Sequence, residues 1–212
     1  MDAELYNGYW ISTDTYLTQT HRDENAHLIW NYLTGLGWTR QAVAGILGNM
    51  DVESSMNPAL IEGRLVHTLP DNNTALTISS STGVGLVQWT GDTTTPPVGQ
   101  KLVSFAIRHN KNWYDGDLQC FRLESEYDYD LQFDHGTIHG VYYDWPIYVA
   151  STEEPEELAY VWQMLYERGG TDTQRRQDKA RYYFDMLAKP PKWLLFAMTN
   201  KRKELKRRCL KI

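Results

Sequence analysis

A carboxyl group on the apolar stripe of a helix constrains this chain more than any other feature. Such a group is either withdrawn from water for a purpose or is the frayed end of its element. Thr39 is placed to cap a helix from Arg40 to about Glu53, in which Ala42, Ile46 and Met50 share one stripe. The seven residues from Ile46 to Glu53 turn the chain through about 700°, nearly two full turns, so Glu53 continues that stripe. Asn57-Pro58 then ends the element, since proline cannot continue a helix.

Around this helix the pattern predicts a mainly helical α+β fold. Asp23 caps a segment through Leu36 with Ala26, Ile29, Trp30 and Leu33 at helical spacing, stopped by Gly35 and Gly37. Four more helices are predicted over 97–109, 117–133, 153–168 (capped by Ser151 or Thr152) and 172–189 (capped by Thr171). Residues 59–90 read as a small strand-rich lobe, with turn signals at Pro70-Asp71-Asn72-Asn73 and Gly83-Val84-Gly85. Residues 135–149 read as an aromatic loop. The expected divisions are an N-terminal arm over 1–22, one domain over 23–189, and a basic amphipathic tail over 190–212 that begins at Pro190-Pro191.

The net charge of −6 divides unevenly, +7 on the tail and −13 on the rest. An acidic body argues against specific nucleic-acid binding, which draws its affinity from many basic contacts. The tail suits an acidic partner or an anionic envelope polymer. The longest terminal apolar run, Trp193–Met198, is far below the roughly 20 residues of a spanning helix, and residues 1–16 lack a signal pattern. Synthesis in the cytoplasm is therefore expected. The two cysteines, Cys120 and Cys209, are expected to be free thiols, and neither a metal nor a cofactor is expected. Cys120 with His135 or His139 offers a weak amidase pattern, and a buried thiol is the ordinary reading. Tyr166-Glu167-Arg168 followed by two glycines reads as a structural helix end.

Cleaving a glycosidic bond needs an acid that keeps its proton near neutral pH, and a carboxyl in an apolar setting does so. Glu53 suits that description. The segment Gly45-Ile-Leu-Gly-Asn-Met-Asp-Val-Glu53-Ser-Ser-Met-Asn-Pro58, followed by Gly83-Val-Gly-Leu-Val-Gln-Trp-Thr90, resembles the phage tail lysozyme family. More distantly it resembles goose-type lysozymes and lytic transglycosylases. The resemblance extends over about 25–187 and takes in Tyr166-Glu167-Arg168 and the Arg181-Tyr182-Tyr183 helix.

The resemblance implies a lysozyme-like fold with a cleft between lobes and cleavage of the β-1,4 glycan strand of peptidoglycan. Glu53 would protonate the leaving oxygen, Ser54 would fix the backbone or orient the acid, and Gln88, Trp89 and Thr90 would line the cleft. Gly83 and Gly85 would let backbone approach the acid or the sugar, unless they form an ordinary turn. Asp71 or Asp92 is the candidate second carboxylate, each in a sequence that also suits a plain turn. Without one, a transglycosylase using the single glutamate remains open, although an Ala-Tyr-Asn-type motif is missing and the stretch 61–81 is longer than the goose-type pattern. The implied setting is a virion tail that opens the cell wall during genome delivery, with other tail proteins met through the arm or the tail. A structural tail protein keeping the fold without turnover is the alternative.

Overall fold

A computed structural model of the chain describes residues 4–6, 10–13, 15–63, 69–90, 98–129 and 132–188. The tail expected over 190–212 and the candidate Asp92 lie outside the described residues. Among those residues the elements in order are β1 (Glu4–Tyr6), β2 (Trp10–Ser12), α1 (Gln19–Gly35), α2 (Arg40–Ser54), α3 (Asn72–Ile78), α4 (Val98–Arg108), α5 (Gly116–Tyr129), β3 (Gly136–Ile138), β4 (Val141–Tyr143), α6 (Trp145–Ala150), α7 (Pro155–Leu165) and α8 (Thr173–Leu187). The fold is mainly helical with two small antiparallel hairpins, β1–β2 and β3–β4.

The helix bearing Glu53 is the centre of the packing. Thr39 Oγ1 accepts from the Ala42 amide at 3.2 Å, and residues 42–51 are buried without a break, so α2 is covered on all sides. Helices α7 and α8 reach it closely because Gly45 and Gly48 leave bare backbone. A Cβ on Gly45 would lie 2.9 Å from Leu158 C, and one on Gly48 only 2.3 Å from Arg176 O. Two buried side chains of α2 then fix its neighbours. Asn49 Nδ2 donates to Ala159 O at 3.0 Å. Asp51 accepts from Arg22 Nη1 at 3.0 Å, Lys179 Nζ at 3.2 Å and the Tyr183 hydroxyl at 2.5 Å.

Asp51 is wholly buried and joins α1, α2 and α8 through those three donors. Asp51→Ala would remove the acceptor that all three share, leaving Arg22 with Leu17 O and Lys179 and Tyr183 with Gln19, and breaking a buried ion pair from one side costs about 3–5 kcal/mol. Thermal unfolding is the measurement, and a melting temperature within 2 °C of the wild type, against the roughly 2–4 °C per kcal/mol expected at this size, would contradict this account of the core.

Several boundaries differ from those read in the sequence. Helix α1 begins at Gln19, with Thr18 as its cap, four residues before Asp23. The segment expected as an arm packs inward: Trp10 is buried, its ring lies over Gly116 and its Nε1 donates to Asp117 Oδ1 at 3.0 Å. Asn25 Nδ2 donates to Ile11 O at 2.6 Å and to Met56 O at 2.9 Å, while Asn57 Nδ2 reaches Thr13 O and Thr15 O, each at 2.7 Å. The N-terminal strand is thus sewn to the loop that follows Glu53. Helix α7 is capped by Glu154 with Pro155 as its first residue, and α8 by a left-handed Asp172, rather than by Ser151, Thr152 or Thr171.

The strands also fall elsewhere than expected. Residues 59–90 contain α3 and two isolated bridges, Ile61 with Val84 and Val84 with Trp89. The loop expected at 135–149 is the β3–β4 hairpin followed by α6. His139 and Gly140 have φ of 48° and 85°, the two successive positive values that a tight hairpin loop requires. Asp144 Oδ1 then caps α6 by accepting from the Ile147 amide at 3.0 Å.

Candidate active site

Helix α2 stops abruptly just beyond Glu53. Ser55 and Met56 both adopt the left-handed conformation, with φ of 55° and 59°, which non-glycine residues rarely do. The strain is held by Ser55 N–H donating to Asp51 O at 3.1 Å, Met56 N–H to Met50 O at 3.3 Å, and the Asn25 and Asn57 bonds behind it. Gln88, Arg168 and Asp172 are also left-handed, so most of the strained non-glycine residues lie in segments bordering Glu53 or its partners. Such clustering is typical of functional sites.

Ser54 is fully buried, and its hydroxyl, bonded to Leu86 O at 2.7 Å and Met50 O at 3.0 Å, fastens the helix end to the 83–90 turn. The turn is braced from the other side by buried Gln119. Its Oε1 accepts from the Leu86 amide at 2.8 Å, and its Nε2 donates to Pro58 O and Trp113 O, each at 2.8 Å. Gly85 has φ of 79°, and a Cβ there would meet Gln119 Oε1 at 2.7 Å. The glycines therefore admit glutamine amides, with Gly83 facing Gln88 in the same way, rather than acid or sugar.

The Glu53 side chain is 22% exposed and its setting is charged, not apolar as the sequence reading expects. Arg176 Nη2 donates to Glu53 Oε1 at 2.5 Å, while Nη1 donates to Asn49 Oδ1 at 3.0 Å and Nε to Thr171 O at 3.3 Å. A second carboxyl completes the group. Glu167 follows the end of α7, and its Oε1 accepts from Trp162 Nε1 at 3.2 Å. Withdrawal from water, then the nearby charge of Glu53, push the Glu167 carboxyl up to about 8, against the opposing pull of Arg176. The site is thus two glutamates, one guanidinium and one amide, drawn from α2, α8 and the end of α7.

The residues singled out in the sequence divide as follows. Asp71 is exposed and caps α3, where its Oδ1 accepts from the Thr74 amide at 2.8 Å; that bond holds its carboxyl below the usual range. Gln88 donates from Nε2 to Gly85 O at 2.8 Å and Leu60 O at 3.3 Å, bracing its own turn. Trp89 is 1% exposed and presents no face to a ligand. Its Nε1 donates to buried Glu126 at 2.8 Å, which also accepts from the Tyr166 hydroxyl at 3.0 Å. Thr90 is exposed at the end of the turn. Cys120 is buried in α5, and desolvation pushes its thiol well up, which suits a core side chain and not a nucleophile.

Sequence reasoning missed Arg176 altogether and treated Glu167 as structural. The signal for Glu167 was its place in the Tyr-Glu-Arg fragment that follows a tryptophan-bearing helix. Two surface hollows among the described residues, one between α4 and α5 around Phe105 and Phe121 and one beside Glu153 and Arg181, do not include Glu53.

A helix-borne glutamate fastened by the following serine to a Gly-Leu-x-Gln turn, within a mainly helical fold, defines a lysozyme-like protein. The chain belongs to the phage tail lysozyme family, whose model matches residues 24–187. It is also 33% identical over 177 residues to Morphogenesis protein 1 of Bacillus phage B103, an alignment covering 83% of this chain and 42% of that protein. The chain thus spans less than half the length of this curated relative.

Proposed function

We propose that this protein is a virion tail component that cleaves the β-1,4 glycan strand of peptidoglycan to open the host wall during genome delivery, with Glu53 as general acid. The observation that carries the reading is the placement of Glu53, a partly exposed carboxyl near the end of a helix buried from Ala42 to Asp51, bound through Ser54 to the 83–90 turn. A carboxyl so held reaches solvent on one side only, the condition for meeting a sugar oxygen while its backbone stays fixed. Family membership supports the substrate class, and a relative named as a phage morphogenesis protein supports the virion setting. Residues 23–189 form the proposed catalytic unit. The basic segment 190–212 and the N-terminal residues are the proposed contacts to other tail proteins or to the envelope.

The relative's name also favours a second reading, a structural tail protein that keeps the fold without turnover. Incubating the purified protein with isolated cell walls separates the readings. New reducing ends identify a muramidase. Anhydro-sugar ends identify a transglycosylase, for which one glutamate suffices. Walls that stay intact at high enzyme concentration leave the structural reading standing and defeat the enzymatic one.

A further inference from the structure

We propose that the hollow between the β3–β4 hairpin and helices α7 and α8 is a binding site for a primary ammonium group, carried on the uncross-linked peptides of the cell wall. The source of that ammonium rests on the wall-directed reading above; the chemistry of the hollow does not. The hollow has a volume of about 610 Å³, and Glu53 is not among the residues that line it.

The starting point is a buried hydroxyl without a partner. Tyr143 lines the hollow from β4 and is 1% exposed, yet its hydroxyl makes no hydrogen bond among the described residues. A buried polar group left in that state is costly, and a native fold keeps one where something outside the chain meets it. Burial, then the charges of Glu157 and Glu153, push the Tyr143 hydroxyl up, which agrees with its lying on the side of those two carboxylates.

The other groups of the hollow show what remains for a ligand. Its four glutamates are Glu153, Glu154, Glu156 and Glu157. Arg181, reaching in from α8, takes up two of them: its Nε donates to Glu156 Oε1 and its Nη2 to Glu156 Oε2, each at 2.6 Å, and Nη2 also donates to Glu154. Gln177 Nε2 donates to Glu156 O at 3.2 Å. His139 Nδ1 lies 2.8 Å from Glu157 Oε1 while its ring stacks on Tyr160. The second oxygen of Glu157, the exposed carboxylate of Glu153 and the Tyr143 hydroxyl are left as acceptors. A primary ammonium carries three N–H donors and no acceptor, so it matches three acceptors set in an excess of negative charge. Among the described residues no three acidic, histidine or cysteine side chains are grouped to hold a metal ion, so the cation that fits is an organic one. Wall peptides present such a group wherever the amine of a diamino acid is not cross-linked.

The probe is Nα-acetyl-lysine methylamide, whose only charge is its ammonium, titrated at low salt into the full chain and followed by amide NMR. Saturable binding that moves resonances of the hairpin and of α7 is expected. The Nε-trimethylated probe has the same charge and no N–H, and should bind about tenfold more weakly. Tyr143→Phe leaves every charge in place; it should weaken the lysine probe about tenfold, as losing a hydrogen bond to a charged group does, and leave the trimethylated probe unchanged. Glu153→Gln, at an exposed position, should weaken the lysine probe as well. Equal affinity for the two probes would make the hollow an acidic surface that attracts any cation and overturns the inference, as does the absence of saturable binding. Sedimentation with isolated walls on ice, before and after acetylation of the wall amines, tests the source. Retention should fall about threefold or more on acetylated walls, and equal retention overturns the wall peptide as the ligand. A wild type that binds as described yet releases no wall fragments defeats the glycosidase reading alone.

Discussion

Glu53→Gln is expected to leave a folded protein that cleaves cell walls about 1,000-fold more slowly than the wild type. The glutamine keeps the volume and one oxygen for Arg176 Nη2, and the guanidinium retains Asn49 Oδ1 and Thr171 O as acceptors. What disappears is the transferable proton, and general acid catalysis typically contributes about 100- to 10,000-fold. The rate of release of soluble wall fragments, with the melting temperature as the folding control, decides it. A rate within tenfold of wild type would remove Glu53 from the chemistry.

Gly48→Ala sets two effects against each other, and their sizes predict the winner. Alanine inside a helix gains about 1 kcal/mol over glycine by propensity. Here, however, the added Cβ would lie 2.3 Å from Arg176 O, 2.8 Å from Ala180 N and 2.9 Å from Ala180 Cβ, and the first two are backbone that cannot rotate away. Overpacking a tight core costs about 1–3 kcal/mol and more where a whole helix has to retreat. As α8 backs away, Arg176 leaves Glu53 and Asn49, and Lys179 and Tyr183 leave Asp51. We expect a net loss of about 3 kcal/mol or more in chemical denaturation, together with loss of activity. Gly35→Ala, where nothing lies within 4 Å of the new methyl group, is the control and should be close to neutral. A Gly48→Ala protein as stable as wild type would mean that the α2–α8 approach is looser than described.

What could be read from the sequence was local. Thr39 caps α2 as its position suggests, the stripe of Ala42, Ile46 and Met50 is buried, and the helix ends where Asn57-Pro58 requires. The paired tryptophan and glutamine of the turn were misjudged for a long-range reason. Trp89 looks like a sugar platform only until α5 brings Glu126 against its indole, and Gln88 looks free only until the turn closes on Leu60 O. The charged partners of Glu53 were invisible for the same cause. Arg176 sits 123 residues away in the chain, and no periodicity within α8 distinguishes it from its neighbour Arg175. The β3–β4 hairpin was overlooked because its signal is a His-Gly pair, and histidine is a less familiar left-handed residue than asparagine.

That long separation between acid and guanidinium matters while the polypeptide is being made. A nascent chain halted anywhere before Thr173 carries Glu53 with no cation opposite it and Asp51 without Lys179 or Tyr183. The charged centre is therefore complete only once α8 has docked, and a ribosome-bound fragment that stops short of α8 is an incomplete acid whatever else has already folded.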